Sequence, residues 1–490
     1  MRRTNRFPMI IGLMAFVLPS PLVAQNQQKN QAVPQQAANR RDAEPPKVPD
    51  PEPFQSKDGK IKGWKVVIPG NHSLATPAVV DGKVFLGGGF GSHEFYAFDA
   101  LTGKKLWVYL TADDGPTAAA VADGLVAFNT ESCELEVLTV DGKPVWKKWL
   151  GDPLMSMPGV ADGKVFMAYP DSKDKDRQHY VACFDLKTGK EFWKKPIAGE
   201  IITAPVIQDN QVYLTALEGT VYCFKQADGE LVWKDKKNVT SAPVVWQGRC
   251  YFSQREETTV NKDGKDVKQQ NEQMACRLLT TVAPVQALKS TTRIADYLDF
   301  DKRKENSVQE KAQAAQDATV GFAGGKGDAK IEQAMMNLGR GNVAGVWSYQ
   351  GSKPFIYNDQ LFSAMGDLVK CVDPKTEKVL WTKKLHDAKD KELVDAVLTP
   401  PAVVNDKIFV GTALGEVFCL SVKSGEVVWK VELGEPILFQ PAVAGGRVYV
   451  STEKGSLFCL ETGDAKDDGW LMWGGNAAHS GQTERKVLGR

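Results

Sequence analysis

The chain of 490 residues lacks the residue patterns by which metal sites and nucleic-acid-binding surfaces are usually recognised. No two of its eight cysteines are adjacent or close enough in sequence to form a zinc-type pair, and none of its five histidines belongs to a His-x-His or His-Glu-x-x-His motif. The 61 basic and 60 acidic side chains leave a net charge of +1. We therefore expect no metal, and no electrostatic attraction to nucleic acid.

A hydrophobic run long enough for a transmembrane helix is also missing. The apolar stretch at residues 7–18 is much shorter than the roughly 20 residues that cross a bilayer. It follows three arginines and precedes the small residue Ala24, which is typical of a secretory signal peptide. We predict a signal peptide at 1–24, no membrane anchor after its removal, and an exported protein in the periplasm or outside the cell.

Large apolar residues are scarce in the next segment, residues 25–58, which is rich in Gln, Asn, Pro and Ala. Such a composition buries too little surface to offset the entropy lost on ordering. We predict a disordered linker over this range.

What the chain does contain is an internal repeat. Residues 97–107 and 183–193 match at Phe, Asp, Thr, Gly, the first Lys and Trp, and weaker copies end at Trp146, Trp233, Trp381 and Trp429. Most successive copies are separated by about 40 to 50 residues, a period that is typical of β-propeller blades.

A tight turn between two short β-rich runs precedes each copy. Asp-Gly at such a turn favours a two-residue hairpin, because both positions tolerate positive φ. Eight such turns occur, at Asp81-Gly82, Asp123-Gly124, Asp162-Gly163, Asp209-Asn210, Gln247-Gly248, Asn358-Asp359, Asn405-Asp406 and Gly445-Gly446. We predict an all-β, eight-bladed propeller over residues 59–485.

The last repeat lacks its outer, tryptophan-bearing strand. The chain does not continue into such a strand after residues 457–460, whereas residues 63–68, around Trp64, look like an isolated copy of one. We predict that this N-terminal strand completes the last blade and closes the ring, which removes the open sheet edges of a linear array.

Residues 97–107 resemble the tryptophan-docking motif, Ala-x-Asp-x-x-Thr-Gly-x-x-x-Trp, of quinoprotein alcohol dehydrogenases and related propellers. The resemblance extends in broken form from about residue 63 to 481. It implies that the repeated indoles pack between neighbouring blades, where a large aromatic side chain buries much surface. The tryptophans assigned to this structural docking are Trp64, Trp107, Trp146, Trp193, Trp233, Trp381 and Trp429. Residues 470–481 resemble a segment at the ends of such propellers, and we interpret them as a strap across the ring.

The family that the chain resembles includes both enzymes and binding proteins. Its pyrroloquinoline-quinone-dependent dehydrogenases use an adjacent-cysteine disulfide, a Trp floor, and Glu, Asn and Asp around calcium; a non-enzymatic member is an outer-membrane assembly lipoprotein that binds partner proteins. This chain has no adjacent cysteines. We therefore expect no catalytic residues and no cofactor, and a monomeric binding or scaffold module for an envelope or extracellular protein or a small ligand. The alternative is a dehydrogenase that uses the quinone with calcium.

Most of the cysteines occupy one place in the repeat. Cys183, Cys223, Cys276, Cys371, Cys419 and Cys459 stand where the first blade has Ala97. Equivalent positions on packed sheets are about 10 Å apart, beyond the roughly 7 Å limit for a disulfide. We predict that these six are small buried groups, and that Cys133 and Cys250, outside this register, are free thiols.

The repeat breaks between Trp233 and Trp381, which are 148 residues apart where two blades need about 90. The fifth blade has a hairpin and a third strand near Cys276 but no Thr-Gly-Trp ending. We predict an irregular insert at 277–345, partly helical because 302–318 and 330–338 are rich in helix-forming residues.

Insertions on repeat scaffolds map to loops on one face, often the binding face. Arg255 and Glu256 before the insert and Trp347 and Tyr349 after it are the candidate ligand- or partner-binding residues. The alternative is a tolerated surface excursion without a ligand. The acidic stretches at 171–176 and 261–266 alternate acid with Lys, and neither completes a calcium loop, so we predict solvated hairpin loops there.

Overall fold

The structure is a computed structural model, and all regular structure in its described part is β-strand. The described residues are 44–89, 91–151, 156–171, 178–199, 201, 204–216, 219–262, 265–279, 286–293, 354–365, 368–386 and 398–482. All but Glu44 belong to one compact unit, Pro45–Arg490. No helix in this described part is long and apolar enough to cross a membrane.

In the described ranges thirty-three strands form eight antiparallel sheets, and each sheet is one blade. Blade 1 contains β3 (Ala78–Val80), β4 (Lys83–Gly87), β5 (Glu94–Asp99) and β6 (Lys105–Leu110); blade 2 contains β7 (Ala120–Ala122), β8 (Leu125–Asn129), β9 (Glu134–Thr139) and β10 (Pro144–Trp149). Blade 3 contains β11 (Gly159–Ala161), β12 (Lys164–Pro170), β13 (His179–Asp185) and β14 (Glu191–Ile197); blade 4 contains β15 (Val206–Gln208), β16 (Gln211–Thr215), β17 (Thr220–Lys225) and β18 (Leu231–Lys236).

The second half of the ring follows the same order. Blade 5 contains β19 (Val244–Trp246), β20 (Arg249–Lys262), β21 (Lys265–Leu278) and β22 (Gln286–Arg293); blade 6 contains β23 (Pro354–Tyr357), β24 (Gln360–Met365), β25 (Leu368–Val372) and β26 (Val379–Lys384). Blade 7 contains β27 (Ala402–Val404), β28 (Lys407–Gly411), β29 (Glu416–Ser421) and β30 (Val427–Glu432); blade 8 contains β31 (Ala442–Ala444), β32 (Arg447–Ser451), β33 (Ser456–Glu461), β2 (Lys62–Val67) and β1 (Glu52–Gln55). The prediction of an eight-bladed propeller is confirmed.

Blade 8 joins the two ends of the chain. Strand β2 pairs with β33, so that Trp64 lies opposite Cys459. The predicted closure of the ring by the N-terminal strand is confirmed. Blades 1 to 7 each consist of four strands that are consecutive in sequence. Blade 8 instead combines strands from both ends of the chain, so the pairing of β2 with β33 fastens the first and last blades together.

Ordered structure begins earlier than the predicted linker boundary at residue 58. Strand β1 pairs with β2 as a fifth strand, with Phe54 opposite Gly63. The Phe54 ring packs edge-on against Phe458, with 5.4 Å between centroids. Main-chain hydrogen bonds to an existing strand and one aromatic anchor order this segment, although its composition is poor in apolar residues.

One cross-strand register recurs in the blades. An aromatic residue of the second strand lies opposite a small residue of the third, which lies opposite the tryptophan of the fourth. Blade 1 has Phe85, Ala97 and Trp107; blade 3 has Phe166, Cys183 and Trp193; blade 4 has Tyr213, Cys223 and Trp233; blade 7 has Phe409, Cys419 and Trp429. All eight cysteines of the chain are buried and none forms a disulfide, Cys133 and Cys250 included, so the cysteine positions are small components of the blade cores.

The tryptophans contact the following blade. Trp146 Nε1 donates a hydrogen bond to the Leu186 carbonyl oxygen at 2.8 Å, and the same bond joins Trp107 to Val140 and Trp193 to Gln226. The indole of Trp146 lies over Gly189, where a Cβ atom would be 2.8 Å from the ring. The glycine of the Thr-Gly turn is therefore needed both for its positive φ of 70° and for the close approach of the indole.

The aspartate of the repeat holds this turn in shape. In blade 1 the Asp99 carboxylate accepts hydrogen bonds from the Thr102 amide at 2.8 Å and from the Thr102 hydroxyl at 2.7 Å. Gly103 follows with a φ of 70°. The Asp, Thr and Gly of the motif thus form one turn, which receives the indole of the preceding blade.

Blade 5 departs from the pattern. The third strand predicted near Cys276 is present, but it continues to Leu278, and residues 286–293, which were predicted to be irregular insert, form a fourth strand. Gln286 stands opposite Cys276, at the position of the tryptophan in other blades. The indole of Trp233, which blade 4 presents to blade 5, is covered by the Arg277 guanidinium at 4.2 Å from the ring centroid. Arg277 also forms an ion pair with Asp235. The predicted helices at 302–318 and 330–338 lie outside the described residues.

Candidate functional site

The two ends of the blades differ in the length of their connections. Because the strands of a blade are antiparallel and consecutive, the turns between first and second and between third and fourth strands lie at one end, which we call the short-turn face. The connections between second and third strands and between blades lie at the opposite end, the long-loop face. Hydrogen bonds tie the short turns together, as from the Ala100 amide to the Gly82 carbonyl oxygen at 2.9 Å.

The most extended element of the long-loop face is the hairpin formed by β20 and β21. Each strand has 14 residues, whereas β4 and β5 of blade 1 have five and six. About nine extra residues at about 3.3 Å each carry the ribbon about 30 Å beyond the blade. Its turn, at Lys262 and Lys265, belongs to the acidic stretch 261–266 that was predicted to be a hairpin loop.

The residue types of this ribbon are polar on both strands. Between Gln254 and Gln273 the large apolar residues are Val260 and Val267, which lie opposite each other in the ladder. A strand pair with one buried face alternates apolar and polar residues along each strand. The ribbon lacks that alternation, so its sequence does not favour packing against a hydrophobic core.

The structure places two of the four predicted binding residues on this ribbon. Arg255 and Glu256 lie in β20 opposite Glu272 and Asn271, where the ribbon leaves the blade. Trp347 and Tyr349 lie outside the described residues, so the four are not brought together in the described part of the chain. Their binding role stays a prediction.

The centre of the ring is occupied by residues 470–482, which we call the channel segment. The predicted strap thus lies within the ring. Its carbonyl oxygens accept hydrogen bonds from the middle residue of four first strands: the amides of Val443, Val79, Val160 and Ile207 donate to Trp470, Leu471, Ala477 and Ala478 at 2.7 to 2.8 Å. Edges of first strands that would otherwise carry unpaired polar groups are thereby satisfied.

Apolar side chains of the channel segment fill the space that it crosses. Trp470, Met472 and Trp473 are each about 2 % exposed or less. Trp473 belongs to a cluster with residues that precede the first strands of five blades: Ala75, Ala118, Met157, Ala204 and Ala242. This part of the channel is an apolar core that the chain itself fills.

His479 anchors the channel segment to blade 3. Its Nδ1 lies 2.8 Å from the Trp473 carbonyl oxygen and its Nε2 lies 2.9 Å from that of Pro158. Burial outweighs these two acceptors, which favour the imidazolium, and lowers the pKa of His479 to about 4. The side chain is therefore neutral at pH 7 and positions the segment.

A pair of partly buried carboxyl groups lies on the long-loop face between blades 1 and 2. Glu131 and Asp114 share a hydrogen bond between their side chains, and the Glu131 amide donates to the Asp114 carbonyl oxygen at 2.8 Å. Burial, followed by repulsion from Asp114 and Asp113, raises the pKa of Glu131 to about 8. The pair therefore holds a proton at neutral pH. The sequence did not predict this carboxyl pair, because Asp114 and Glu131 follow strands of different blades. The signal available in the sequence was the position of acidic residues shortly after strand ends.

A second ionisable cluster joins blades 6 and 7. His386 Nε2 and Lys430 Nζ each lie 2.6 Å from an oxygen of Glu416. Burial opposes ionisation of this carboxyl, but the two hydrogen bonds prevail and lower the pKa of Glu416 to about 2. The carboxylate is fully engaged by these two partners, which is typical of a structural ion pair.

The quinone and calcium of the resembling dehydrogenases were tested against these residues. Within the described ranges no three His, Cys, Asp or Glu side chains are grouped so as to hold a metal ion, and none of the eight cysteines forms a disulfide. The described residues therefore contain neither an adjacent-cysteine disulfide nor a group of metal ligands like those of the dehydrogenases that the chain resembles.

A scan of family models matches residues 134–271 and 365–486 to the family described as outer membrane protein assembly factor BamB. These ranges cover more than half of the sequence. The chain belongs to this family. The match includes blades 3, 4 and 7, strands β31 to β33 of blade 8 and the channel segment, so family membership agrees with the repeat derived from the sequence.

Solved structures show the same fold at low sequence identity. The crystal structure of BamB from Moraxella catarrhalis covers 84 % of this chain and all of that one, with 13 % identity and a TM-score of 0.52. The computationally designed Ika8 protein covers 81 % of this chain and 98 % of its own, with 13 % identity and a TM-score of 0.55. At this identity the similarity establishes the fold alone.

One curated relative is an enzyme. The quinoprotein alcohol dehydrogenase PedH of Pseudomonas putida is 34 % identical over 106 residues, 19 % of this chain and 18 % of that protein. The chain therefore spans less than a fifth of the length of this relative. The match records a shared repeat and does not extend over the rest of that enzyme.

Proposed function

We propose that this protein is an exported, non-catalytic propeller that binds a partner protein in the cell envelope through its long-loop face. The observation that carries the proposal is the hairpin formed by β20 and β21, which projects from a ring whose opposite face consists of short turns. Export rests on the signal peptide predicted at 1–24. The family description, outer membrane protein assembly factor, supports a binding role in the envelope.

The physical argument concerns the stability of the ribbon. A two-stranded hairpin is marginally stable by itself in water, and this one has few apolar residues along its projecting part. It contributes little to the core of the ring. A contact with another protein accounts for a projecting polar ribbon, which offers main-chain and side-chain hydrogen-bonding groups on a rigid base.

Crosslinking in intact cells tests this function. A photoreactive amino acid at the exposed positions Thr259 or Asp266 of the ribbon should produce a discrete adduct in the envelope fraction. The same amino acid at the exposed Lys143 of the short-turn face is the matched control and should produce none. Adducts of equal yield at both faces, or at neither, would overturn the proposal.

A second candidate function is a quinone-dependent dehydrogenase, which the PedH match favours. The purified protein would be mixed with pyrroloquinoline quinone and calcium and examined for bound-quinone absorbance and dye-linked oxidation of alcohols. Stoichiometric quinone binding with turnover would replace the binding function by the enzymatic one. Absence of both at stoichiometric quinone would leave the binding function alone.

A further inference from the structure

The outer strands of the blades form a lysine-rich side wall. The seven outer strands that carry a tryptophan contain twelve lysines and three acidic residues, although the whole chain is almost neutral. The residue before the tryptophan is a partly exposed apolar side chain, between 40 and 55 % accessible, in six of these strands: Leu106, Val145, Phe192, Val232, Leu380 and Val428. Except in β30, where Glu432 balances Lys430, each of these edges combines a net positive charge, an apolar side chain and main-chain groups that no strand of the described residues pairs with.

Blade 8 shows what such an edge accepts. Its outer strand β2 has Gly63 before the tryptophan, and β1 covers it, with Phe54 opposite Gly63 and Glu52 opposite Lys65. The segment that leads into β1 includes Asp50 and the prolines at positions 49 and 51, and β1 itself contains Pro53. An acidic, extended segment with one aromatic residue is therefore an occupant that this type of edge binds within the protein itself.

Blade 4 differs from four other blades in the pairing of the lysine that follows the tryptophan. Four blades have a lysine after the tryptophan that is paired with a carboxylate at 2.5 to 2.7 Å: Lys65 with Glu435, Lys147 with Glu134, Lys194 with Asp171, and Lys430 with Glu416. The equivalent Lys234 of blade 4 has no carboxylate partner among the residues that the structure describes. Thr220 stands where blades 2 and 7 have their glutamates, and the neighbouring Asp235 is engaged by Arg277.

The same edge carries two consecutive exposed apolar residues. Leu231 and Val232 are each 44 % accessible. The edge strand ends with the exposed Lys236, followed by the exposed Lys237. Blade 4 therefore presents an apolar pair, as blades 6 and 7 also do, together with a lysine that has no carboxylate partner among the described residues, along the outer edge of β18.

We propose that strand β18, the outer edge of blade 4, binds an acidic extended segment of a partner protein by strand addition. The segment pairs antiparallel, with an acidic residue opposite Lys234 and an aromatic residue opposite Val232, as Glu52 and Phe54 pair in blade 8. Lysine on an edge strand blocks pairing with neutral or basic strands. An acidic strand forms an opposite-charge pair with the edge lysine, so this edge favours acidic segments over neutral or basic ones. This surface is separate from the long-loop face.

A peptide titration tests the proposal on the full-length protein. The probe is a fluorescein-labelled peptide with the sequence of residues 49–57, followed by fluorescence anisotropy. We expect saturable binding, and about a tenfold or greater loss of affinity on Lys234→Glu, because an opposite-charge pair becomes a like-charge pair. A peptide with lysine in place of its two acidic residues should bind the K234E protein better than the wild type. Loss of binding without this reciprocal rescue would overturn charge pairing.

A matched pair of substitutions separates blade 4 from the rest of the side wall. Val232→Lys and Val428→Lys change equivalent exposed positions of blades 4 and 7. The first should weaken binding and the second should not. Equal loss in both variants would show nonspecific adhesion to the side wall and would overturn the assignment to β18.

Amide hydrogen exchange locates the bound peptide. Strand addition should slow exchange within residues 231–236 when the peptide is present. Protection confined to 62–67 would mean that the peptide displaces β1 in blade 8, and would overturn the proposal. Shortening the β20–β21 ribbon should leave peptide binding unchanged, so this surface and the proposed function of the long-loop face can fail independently.

Discussion

The short-turn face and the long-loop face are made from the same strands, yet the sequence repeats on one and varies on the other. On the short-turn face the turns are bonded to each other and receive the indole of the preceding blade, as Gly189 receives Trp146. On the long-loop face the connections range from a few residues to the 14-residue strands of the ribbon. The difference teaches that stability is concentrated where blades are locked together, which leaves the opposite end free to vary.

The largest expected effect is on an indole of the short-turn side. Trp146→Ala should lower the free energy of unfolding by about 3 to 4 kcal/mol, since it removes a packed ring and its hydrogen bond to Leu186. Trp149→Ala, in the same strand but 50 % exposed, is the control and should cost less than about 1 kcal/mol. Urea unfolding measures both, and equal losses would contradict the locking role of Trp146.

A smaller effect is expected at the glycine under that indole. Gly189→Ala should cost about 2 to 3 kcal/mol, from its positive φ and from contact of the new Cβ with Trp146. Gly163→Ala has a similar φ of 68° and no atom within 4 Å of its Cβ, so it should cost only about 1 kcal/mol. Urea unfolding measures the loss of unfolding free energy in each variant, and the difference between the two losses is the cost of the contact with Trp146. Equal losses would mean that the indole moves away from the new Cβ at no cost.

The two faces should also respond to pH in opposite directions. On the long-loop face the raised pKa of Glu131 means that stability is fully present below its ordinary pKa of 4.5 and is lost as the pH rises towards about 8. Glu131→Gln should therefore stabilise the protein at pH 8 relative to the wild type by about 1 to 2 kcal/mol, and the advantage should vanish at pH 4. Melting temperatures of the variant and the wild type between pH 4 and pH 8 test this prediction. If the variant were more stable by the same amount at every pH, the effect would not come from titration of the Glu131 and Asp114 pair.

Asp99 on the short-turn face has the opposite linkage. Hydrogen bonds from Thr102 lower its pKa, so its stabilising effect is present above its ordinary pKa of 3.8 and is lost as the pH falls below that value. Asp99→Asn should lower the melting temperature slightly at pH 7, and the difference should shrink towards pH 3. If the difference in melting temperature between the variant and the wild type grew as the pH fell, the pKa of Asp99 would not be lowered by these hydrogen bonds.

The smallest expected effect on stability is at the ribbon. Replacing residues 257–270 by an Asn-Gly turn between Glu256 and Asn271 should change the free energy of unfolding by less than about 1 kcal/mol, because the removed residues are polar apart from Val260 and Val267 and lie beyond the part of the hairpin that pairs with β22. Urea unfolding measures the change. A loss comparable to that of Trp146→Ala would show that the ribbon belongs to the core and would remove the contrast between the faces.

The sequence predicted the ring more completely than the candidate site. The spacing of Trp107, Trp146 and Trp193 and the eight tight turns were sufficient for the number of blades, since each blade is a local unit of consecutive strands. The isolated strand around Trp64 was sufficient for ring closure. The length of the ribbon was missed, because its strands lack the alternation of apolar and polar residues by which strands are recognised.

What the sequence by itself determined is the repeated blade and its short turns, since Asp99, Thr102 and Gly103 act within a few residues of one another. Only the tertiary structure decided which residues meet across blades. It placed Trp470 and its neighbours in the channel and brought Asp114 to Glu131, and among the described residues it gave Lys234 no carboxylate like that of its equivalents. The physical reason is that such contacts depend on how separate blades close into a ring, and a repeat period contains no information about the residues that depart from it.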